Sequence, residues 1–287
     1  MSSARDIKRR VKSVKNISKI TKAMQMVSAS RLKKAQDNAS KTRSYSKKLT
    51  EILANTQKAS HDLSHPYLIQ KAVKKDLIIL ITPDRGLVGS LIINVRKLAF
   101  QNKENVFSSI GKKGSQFLKK FNLNVIAEFE NLGNKTSEFK LTVLINLINQ
   151  KYIEENYSNV YVIYTDFIST AVQKAKHLQL LPVNSTDYSL QLQTINNQQE
   201  NHNPYKFEPS ANTIFDFLMP HFIETQLQQF LFESLASEHS ARMIAMKNAT
   251  DNAKKLASRL LLAYNKERQE SITNQILEVA SGANSSN

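Results

Sequence analysis

The sequence predicts two long terminal helices that pair with each other, joined by a central α/β domain with a mostly parallel sheet. Three observations favour this fold class. Residues 3–59 contain no Gly and no Pro, residues 241–257 have Ala at every fourth position, and apolar runs alternate with amphipathic segments between these two stretches. We therefore expect an N-terminal helix in residues 1–60, an α/β domain in 61–208 and a C-terminal helix in 209–287.

The N-terminal helix has an apolar seam with coiled-coil spacing. The apolar positions recur on average about every 3.5 residues, the period of a coiled-coil seam and not of a strand. They are Ile7, Val11, Val14, Ile17, Ile20, Met24 and Val27, followed less regularly by Leu32 and Ala35. A helix over residues 3–59 would be about 85 Å long at the usual rise per residue.

The C-terminal helix is expected to lie very close to a partner helix. Ala241, Ala245, Ala249, Ala253 and Ala257 fall on one face, and small residues let two backbones approach. A helix over about 221–280 would span about 90 Å, with Pro220 either kinking it or starting its main part. Helices this long do not fit inside a compact domain, so we favour a paired rod over two ordinary helices in a bundle core.

Positive charge is concentrated on the N-terminal helix. Residues 1–60 carry sixteen Lys or Arg and three acidic residues, which is +13 of the chain's net +16, whereas the segment from Pro209 onward has seven basic and eight acidic residues. Such a stripe attracts phosphate, anionic lipid or an acidic protein surface. A merely solvated face would show Glu–Lys pairs four residues apart, and these are almost absent, so we expect an acidic partner.

The middle of the chain alternates strands and helices. This alternation predicts an open, mostly parallel sheet with right-handed crossovers. The predicted strands are residues 76–82, 106–110, 124–129, 160–167 and a closing segment near 177–183, the predicted helices are 93–101, 111–121 and 136–155, and residues 191–203 are a polar loop.

No pattern in the sequence indicates catalysis or cofactor binding. The glycines of residues 86–90 and 111–115 match neither phosphate-binding nor dinucleotide-binding patterns, so we assign them to turns. His61 and His65, four residues apart before Pro66, are the nearest approach to a metal-ligand spacing, and we assign them to a helix end. We expect no catalytic residue, cofactor or metal.

Several classes of protein are excluded or disfavoured by composition. The chain has no Cys, which excludes disulfides and thiolate metal sites. No run approaches eighteen apolar residues, and the start MSSARDIKRR has no apolar signal core. We therefore expect a protein of the cytosolic compartment, without direct membrane insertion.

Four segments together resemble the gamma-subunit family of F-type ATP synthases. They are residues 7–36, TPDRGLVGS at 82–90, YKFEPS at 205–210 and the closing segment 236–284. The resemblance covers the chain in order, the middle being the most diverged part. In that family the 82–90 loop usually continues after DRGL with Cys and two Gly, where this chain has Val88, Gly89 and Ser90.

The resemblance implies an architecture and a role. The terminal helices would wind into an antiparallel coiled coil inside a hexamer of alternating alpha and beta subunits, with a Rossmann-like α/β domain at its base beside the epsilon subunit and the c-ring. Proton flow through the ring would turn this shaft, which binds no ATP itself and forces the beta subunits through their states. The family's chloroplast form has a cysteine-bearing regulatory insertion that is absent here, so we expect a bacterial protein at the cytoplasmic face of the cell membrane.

The resemblance also implies two groups of contact residues. An Arg fork and a neutral amide suit a loop that presents oxygen acceptors, the role expected of Arg268 and Gln269. The full beta-subunit group is Lys22, Met24, Arg242, Arg268, Gln269, Thr273 and Glu278, with Arg242 expected across from Lys22 and Met24. The group expected to face the c-ring and epsilon subunit is Tyr205, Phe207 and Glu208.

Three other functions remain as alternatives. A basic coiled coil that binds nucleic acid would explain the +13 helix, although that helix has Tyr45 as its one aromatic residue for stacking. A peripheral scaffold on anionic lipid is a weaker alternative for a Lys-rich rod. An enzyme that uses the α/β domain would require nucleotide binding by the isolated protein.

Overall fold

A computed structural model of the chain describes residues 4–59, 65–69, 71, 73, 75–130, 137–154, 157–183 and 207–284. The helices are α1 (Ala4–Ala59), α2 (Leu91–Gln101), α3 (Lys112–Lys120), α4 (Ser137–Ile153) and α5 (Ala211–Asn284), with a 3₁₀ turn at Pro66–Leu68. The strands are β1 (Leu77–Ile81), β2 (Val106–Ile110), β3 (Val125–Phe129), β4 (Val160–Phe167) and β5 (Gln173–Leu181). The expected polar loop 191–203 lies outside the described residues.

The chain divides into two compact units. One consists of Met1–Ala29 and Arg242–Asn287, and the other is Ser30–Ala241. Both division points fall inside a long helix, whereas the boundaries expected from the sequence lie after residues 60 and 208. Those boundaries remain a prediction, and the two units are described below one at a time.

The unit Ser30–Ala241 contains a five-stranded sheet in the order β3-β2-β1-β4-β5. The first four strands are parallel, and β5 pairs antiparallel with β4. This confirms the mostly parallel sheet. All five residues of β1 are buried, as expected for a central parallel strand covered on both faces.

Side chains of β1 alternate between two apolar cores. Ile78 and Leu80 pack with α2 and α3 through residues such as Val95 and Leu118. The opposite face, with Leu77 and Ile79, packs against α4 and against portions of α1 and α5. The terminal helices are therefore part of the core of this unit. They run antiparallel there, because Arg43 bonds Glu233 while Ser46 bonds Gln226.

In the other unit, small and hydroxyl side chains of α1 and α5 are buried together with Ile7, Val11 and Met246. Thr21 Oγ1 and Thr250 Oγ1 lie 2.7 Å apart in a buried hydrogen bond, and Ala253 and Ala257 are buried. The buried hydroxyls are also satisfied within their own helices, since Ser28 donates to the Met24 carbonyl and Thr250 to the Met246 carbonyl. The expected close approach along the alanine face is thus found at its C-terminal half.

The predicted seam of α1 is wrong in its middle part. Ile17, Ile20 and Val27 are 50%, 59% and 52% exposed, whereas Thr21 and Ser28 are buried. A coiled-coil seam uses alternating steps of four and three residues, because such steps stay on one face of the helix. From Val14 these steps lead to positions 18, 21, 25, 28 and 32. A seam drawn through apolar residues alone therefore places three of them on the wrong face.

The C-terminal helix starts within the expected segment 209–287, ten residues before the position 221 taken for its expected length. α5 begins at Ala211 and has 74 residues, with Pro220 in its interior, so it is about 110 Å long by the rise per residue. Ser210 acts as its cap, because the Ser210 hydroxyl accepts from the Thr213 N–H at 3.2 Å. The first turns are held by burial of Phe215 and Met219 in the sheet core, a tertiary contact that overrides the helix-breaking tendency of Pro220.

Candidate functional surfaces

The crevice where parallel sheets usually bind ligands is occupied by α5. In such sheets the ligand lies outside the carboxyl ends of the strands where the strand order reverses, which here is between β1 and β4. Ser234 Oγ accepts from the Thr165 N–H at 3.2 Å, Ser237 donates to the Thr165 carbonyl at 3.2 Å, and Ser240 donates to the Thr170 carbonyl at 2.6 Å. α5 therefore covers the end of β4.

A small cavity remains beside these contacts. It measures about 30 Å³ and is lined by residues that include Thr82, Asp84, Gly111, Leu231 and Glu238. This volume holds one or two water molecules and is far below the size of a nucleotide pocket. Asp84 also accepts from the Lys112 N–H at 3.0 Å, so a carboxylate takes the place at the start of α3 that a phosphate would need.

The glycines of residues 111–115 serve packing. Gly111 has φ +97°, and a Cβ there would overlap the Thr82 carbonyl oxygen. At Gly114 a Cβ would lie 2.6 Å from Thr82 Oγ1, to which the Gly114 N–H donates at 2.7 Å. Both glycines let α3 approach the end of β1, as turn glycines do.

Among the residues that the structure describes, no group of three His, Asp or Glu side chains is placed to hold a metal ion. His65 packs in the apolar core edge-on to Tyr67 and Phe215, and its Nδ1 accepts from the Tyr67 N–H at 3.1 Å. Burial lowers the pKa of His65, against the opposing effect of Asp216. His61 lies outside the described residues.

The outer face of α1 carries apolar side chains beside lysines. Ile17, Ile20, Met26 and Val27 are half or more exposed, and Lys22 is exposed among them while Met24 is half-buried. This apolar and basic mixture needs a partner that is both apolar and acidic. The sequence locates this face indirectly, because the alternating three- and four-residue spacing identifies the seam and leaves these residues outside it.

Arg242 differs from the other expected contact residues. Its surface is 8% exposed. The Thr21–Thr250 bond sets the register. Counting eight residues back along α5 and eight forward along the antiparallel α1 places Arg242 opposite about residue 29, roughly 7 to 10 Å further along the axis than Lys22 and Met24. That Arg242 lies across from Lys22 and Met24 on the C-terminal helix stays a prediction.

The end of α5 extends past α1. Counting the seventeen residues between Ala4 and Thr21 forward from Thr250 reaches Glu267, so the last seventeen residues of α5, about 25 Å of helix, have no described part of α1 beside them. Burial agrees with this register. Glu267 is half-buried, and every described side chain from Arg268 onward is exposed.

This last segment, residues 268–284, which we call the α5 tip, is apolar on more than one side. Ile272, Ile276 and Val279 share one stripe at four- and three-residue spacing, Leu277 lies on another side about 100° around the helix from Ile276, and all four are 48% to 75% exposed. A helix that is apolar on more than one side is typically surrounded by protein. Arg268, Gln269 and Thr273 lie on the same segment, where the Thr273 hydroxyl donates to the Gln269 carbonyl at 2.9 Å. The side chain of Glu278 lies outside the described residues.

The residues expected at the c-ring side lie just before α5. Phe207 is half-buried and Glu208 is exposed, so both have surface available in this chain. Tyr205 lies outside the described residues. No helix in the described portion of the chain has the length and hydropathy needed to cross a membrane.

Comparison with known proteins identifies the family. The family model described as ATP synthase matches residues 3–285. The ATP synthase gamma chain of Dehalococcoides mccartyi is 40% identical over 290 residues, covering 99% of each chain. That of Chloroflexus aurantiacus is 40% identical over 295 residues, covering 99% of this chain and 98% of the relative.

A solved structure supports the fold independently. A chain of the Euglena gracilis mitochondrial ATP synthase, from its OSCP, F1 and c-ring assembly, aligns with a TM-score of 0.68 at 18% identity, covering 98% of this chain and 94% of that one. At this identity the likeness shows a common fold. Taken with the full-length relatives, it leaves one conclusion: this chain belongs to the gamma-subunit family of F-type ATP synthases.

Proposed function

We propose that this chain is the central rotor shaft of a proton-translocating F-type ATP synthase. It is the non-catalytic subunit that couples c-ring rotation to conformational change in the catalytic beta subunits. The observation that carries the proposal is the α5 tip, a single helix that exposes Ile272, Ile276, Leu277 and Val279 on different sides. Such a rod requires a surrounding sleeve, and a ring of alternating alpha and beta subunits provides one.

The contacts that transmit rotation to the beta subunits involve seven residues. They are Lys22, Met24, Arg242, Arg268, Gln269, Thr273 and Glu278. The exposed guanidinium of Arg268 and amide of Gln269 can bind carboxylate or backbone oxygens on a facing loop. Lys22, with the exposed Ile17 and Ile20 beside it, suits an acidic surface with an apolar part. Arg242, with 8% of its surface exposed, has the least area for direct contact.

The other partners meet the chain at the residues just before α5. Tyr205, Phe207 and Glu208 are proposed to contact the c-ring and the epsilon subunit. The complete partner set is thus the alpha, beta and epsilon subunits and the c-ring, with no nucleic acid. The gamma subunit is peripheral to the membrane part of its complex. We place it at the cytoplasmic face of a bacterial cell membrane, supported by the absence of the cysteine-bearing insertion.

The nucleic-acid alternative has no support beyond the charge of α1. The family match and the full-length relatives give it none. Duplex DNA binding that weakens steeply with salt, and is tighter than binding to the alpha–beta hexamer, is the result that would favour it.

The proposed role is tested by reconstitution. Co-expression of the chain with alpha and beta subunits from the same organism is expected to give a stoichiometric complex whose sustained ATPase turnover depends on this chain. No association, or a fully active hexamer without the chain, would contradict the shaft role.

The contact residues are tested by a double substitution. Arg268→Ala with Gln269→Ala is expected to lower turnover or coupling about tenfold or more, because charge-assisted hydrogen bonds are lost, while the circular dichroism of the isolated chain stays unchanged. The matched control is Lys97→Ala with Gln101→Ala, which removes similar side-chain types from exposed positions on α2. Equal effects of the two pairs would remove Arg268 and Gln269 from the proposed contacts.

A further inference from the structure

Polar side chains join α5 and α1 to the end of β4 within the unit Ser30–Ala241. We call this group the β4 clasp. It consists of Arg43, Tyr164, Thr165, Thr170, Gln229, Glu233, Ser234, Ser237 and Ser240. Glu233, Ser234, Ser237 and Ser240 recur at helical spacing, so they lie along one face of α5.

Glu233 is the centre of the clasp. Its side chain is 8% exposed, and Oε1 accepts from Arg43 Nη2 at 2.8 Å and from Gln229 Nε2 at 2.6 Å. Burial, followed by the charges of Glu233 and Asp166, raises the pKa of Tyr164 on β4, so its hydroxyl stays protonated. One buried carboxylate thereby joins α1 to α5 and acts electrostatically on β4.

The three serines contact the main chain near the end of β4. Ser234 and Ser237 bond the N–H and the carbonyl of the same residue, Thr165, and Ser240 bonds the carbonyl of Thr170. Two serine hydroxyls that bond the main chain of one residue fix both the position of the helix along its axis and its rotation relative to the strand, because hydrogen bonds are directional.

Apolar packing alone would not fix the rotation of α5 in this way. Burial of Phe230 and Leu231 in the core is favourable, but the hydrophobic effect is non-directional. A rotation of α5 by about 30° about its axis moves an atom about 5 Å from that axis by roughly 2.5 Å. Such a displacement breaks a 3.2 Å hydrogen bond while leaving most apolar contacts in place.

We propose that the β4 clasp holds α5 against rotation relative to the α/β sheet and so carries torque between this domain and the shaft helices. This inference rests on the proposed shaft function and assigns positioning roles, without direct contact to nucleotide, to Arg43, Tyr164, Glu233, Ser234 and Ser237. A clasp of this kind matters only when the shaft works against a load.

The test compares unloaded and loaded work. In the soluble complex of the alpha–beta hexamer with this chain, the α/β domain carries no load. In the complete synthase in vesicles, the same domain drives proton pumping. Ser234→Ala with Ser237→Ala, and separately Glu233→Leu, are expected to keep hexamer ATPase per assembled complex within about 20% of the unmodified value. Protons pumped per ATP hydrolysed should fall about two- to fivefold, as expected for the loss of one or two net hydrogen bonds.

Two further variants separate torque transmission from folding. Glu233→Gln keeps the shape and an acceptor oxygen for Arg43 and Gln229, so it is expected to restore most of the coupling. Ser44→Ala removes an exposed hydroxyl that bonds its own helix at Ser40 and should leave coupling unchanged.

The two proposals fail in different ways. Unchanged coupling in both clasp variants, or an equal loss of hexamer ATPase and pumping per assembled complex, would overturn the torque inference. Failure of the unmodified chain to support hexamer ATPase would overturn the shaft role itself.

Discussion

The two portions of α5 solve different packing problems within one continuous helix. Residues 211–241 bury large side chains, including Phe215, Phe222 and Ile223, in the core of the α/β unit. Residues 242–284 bury small side chains, such as Thr250 and Ala253, together with Arg242 and Met246, and leave every described side chain from Arg268 onward exposed. The first portion buries most of its large apolar side chains within the chain, with Phe217 as an exposed exception, whereas the α5 tip leaves four large apolar side chains exposed.

This difference shows how side-chain size assigns a helix to its neighbours. Large apolar residues fill the space between a helix and a sheet about 10 Å away, whereas alanine and hydroxyl residues bring two helix axes closer together. Large apolar residues such as Ile276 remain exposed on the same helix beyond the closely paired part, and we expect another chain to cover them.

The largest expected effect lies in the first portion of α5. Phe215→Ala should lower the free energy of unfolding by about 3–5 kcal/mol, because a fully buried aromatic ring leaves a cavity. Phe217→Ala, two residues away and 80% exposed, should change it by less than about 0.5 kcal/mol. Urea denaturation followed by circular dichroism measures both, and similar losses would contradict the described burial.

A slightly smaller effect is expected where α3 approaches β1. Gly111→Ala should cost about 3 kcal/mol, since the added Cβ overlaps the Thr82 carbonyl oxygen and the backbone has φ +97°. Gly86→Ala is the control, because a Cβ added at Gly86 would meet no atom within 4 Å. The shift in denaturation midpoint should separate the two variants clearly; equal midpoints would argue against close packing of α3.

A larger side chain should destabilise the closely paired part of the second portion more than its exposed end. Ala253→Leu is expected to destabilise the isolated chain by about 1–3 kcal/mol, because Ala253 is buried where α1 and α5 pack. Ala263→Leu, at an exposed position further along the same helix, should stay within about 0.5 kcal/mol. Thermal unfolding that is insensitive to Ala253→Leu would show that the helices are not tightly paired there.

The smallest expected effect on stability is at the α5 tip. Ile272→Gln with Ile276→Gln should leave unfolding of the isolated chain within about 0.5 kcal/mol, because both side chains are exposed there. Binding to the alpha–beta hexamer should weaken at least about tenfold, since each side chain loses roughly 1.5–3 kcal/mol of burial. Titration of the hexamer with the labelled chain measures this, and unchanged affinity would show that the stripe is not enclosed.

Much of the fold can be predicted from periodicity and from strand-like runs. Val106–Ile110 and Val160–Phe167 are strands with the predicted bounds. A short apolar run between turn residues is typical of a buried strand. The N-terminal helix is described from Ala4 to Ala59, within the predicted range 3–59. α5 starts within the expected segment 209–287, but local sequence alone does not decide whether Pro220 begins the helix or lies inside it.

The candidate site is less predictable. Arg268 and Gln269 are identified by resemblance alone, and their exposure becomes meaningful only with the register set by Thr21 and Thr250. The bonds between Arg43 and Glu233, 190 residues apart, and between Ser237 and Thr165, 72 residues apart, have no local signature. Pairwise contacts over such separations depend on the whole topology.

Periodicity and composition are enough to decide which segments are helices and strands, where positive charge is concentrated, and that thiol chemistry is absent, because these are local properties of the chain. Three other features follow only from tertiary packing: the residues of α1 that face α5, the point along α5 that lies opposite the described start of α1, and the covering of the sheet's ligand crevice by α5. Local propensity sets the conformation of a segment, whereas the face that it buries depends on the neighbour that reaches it.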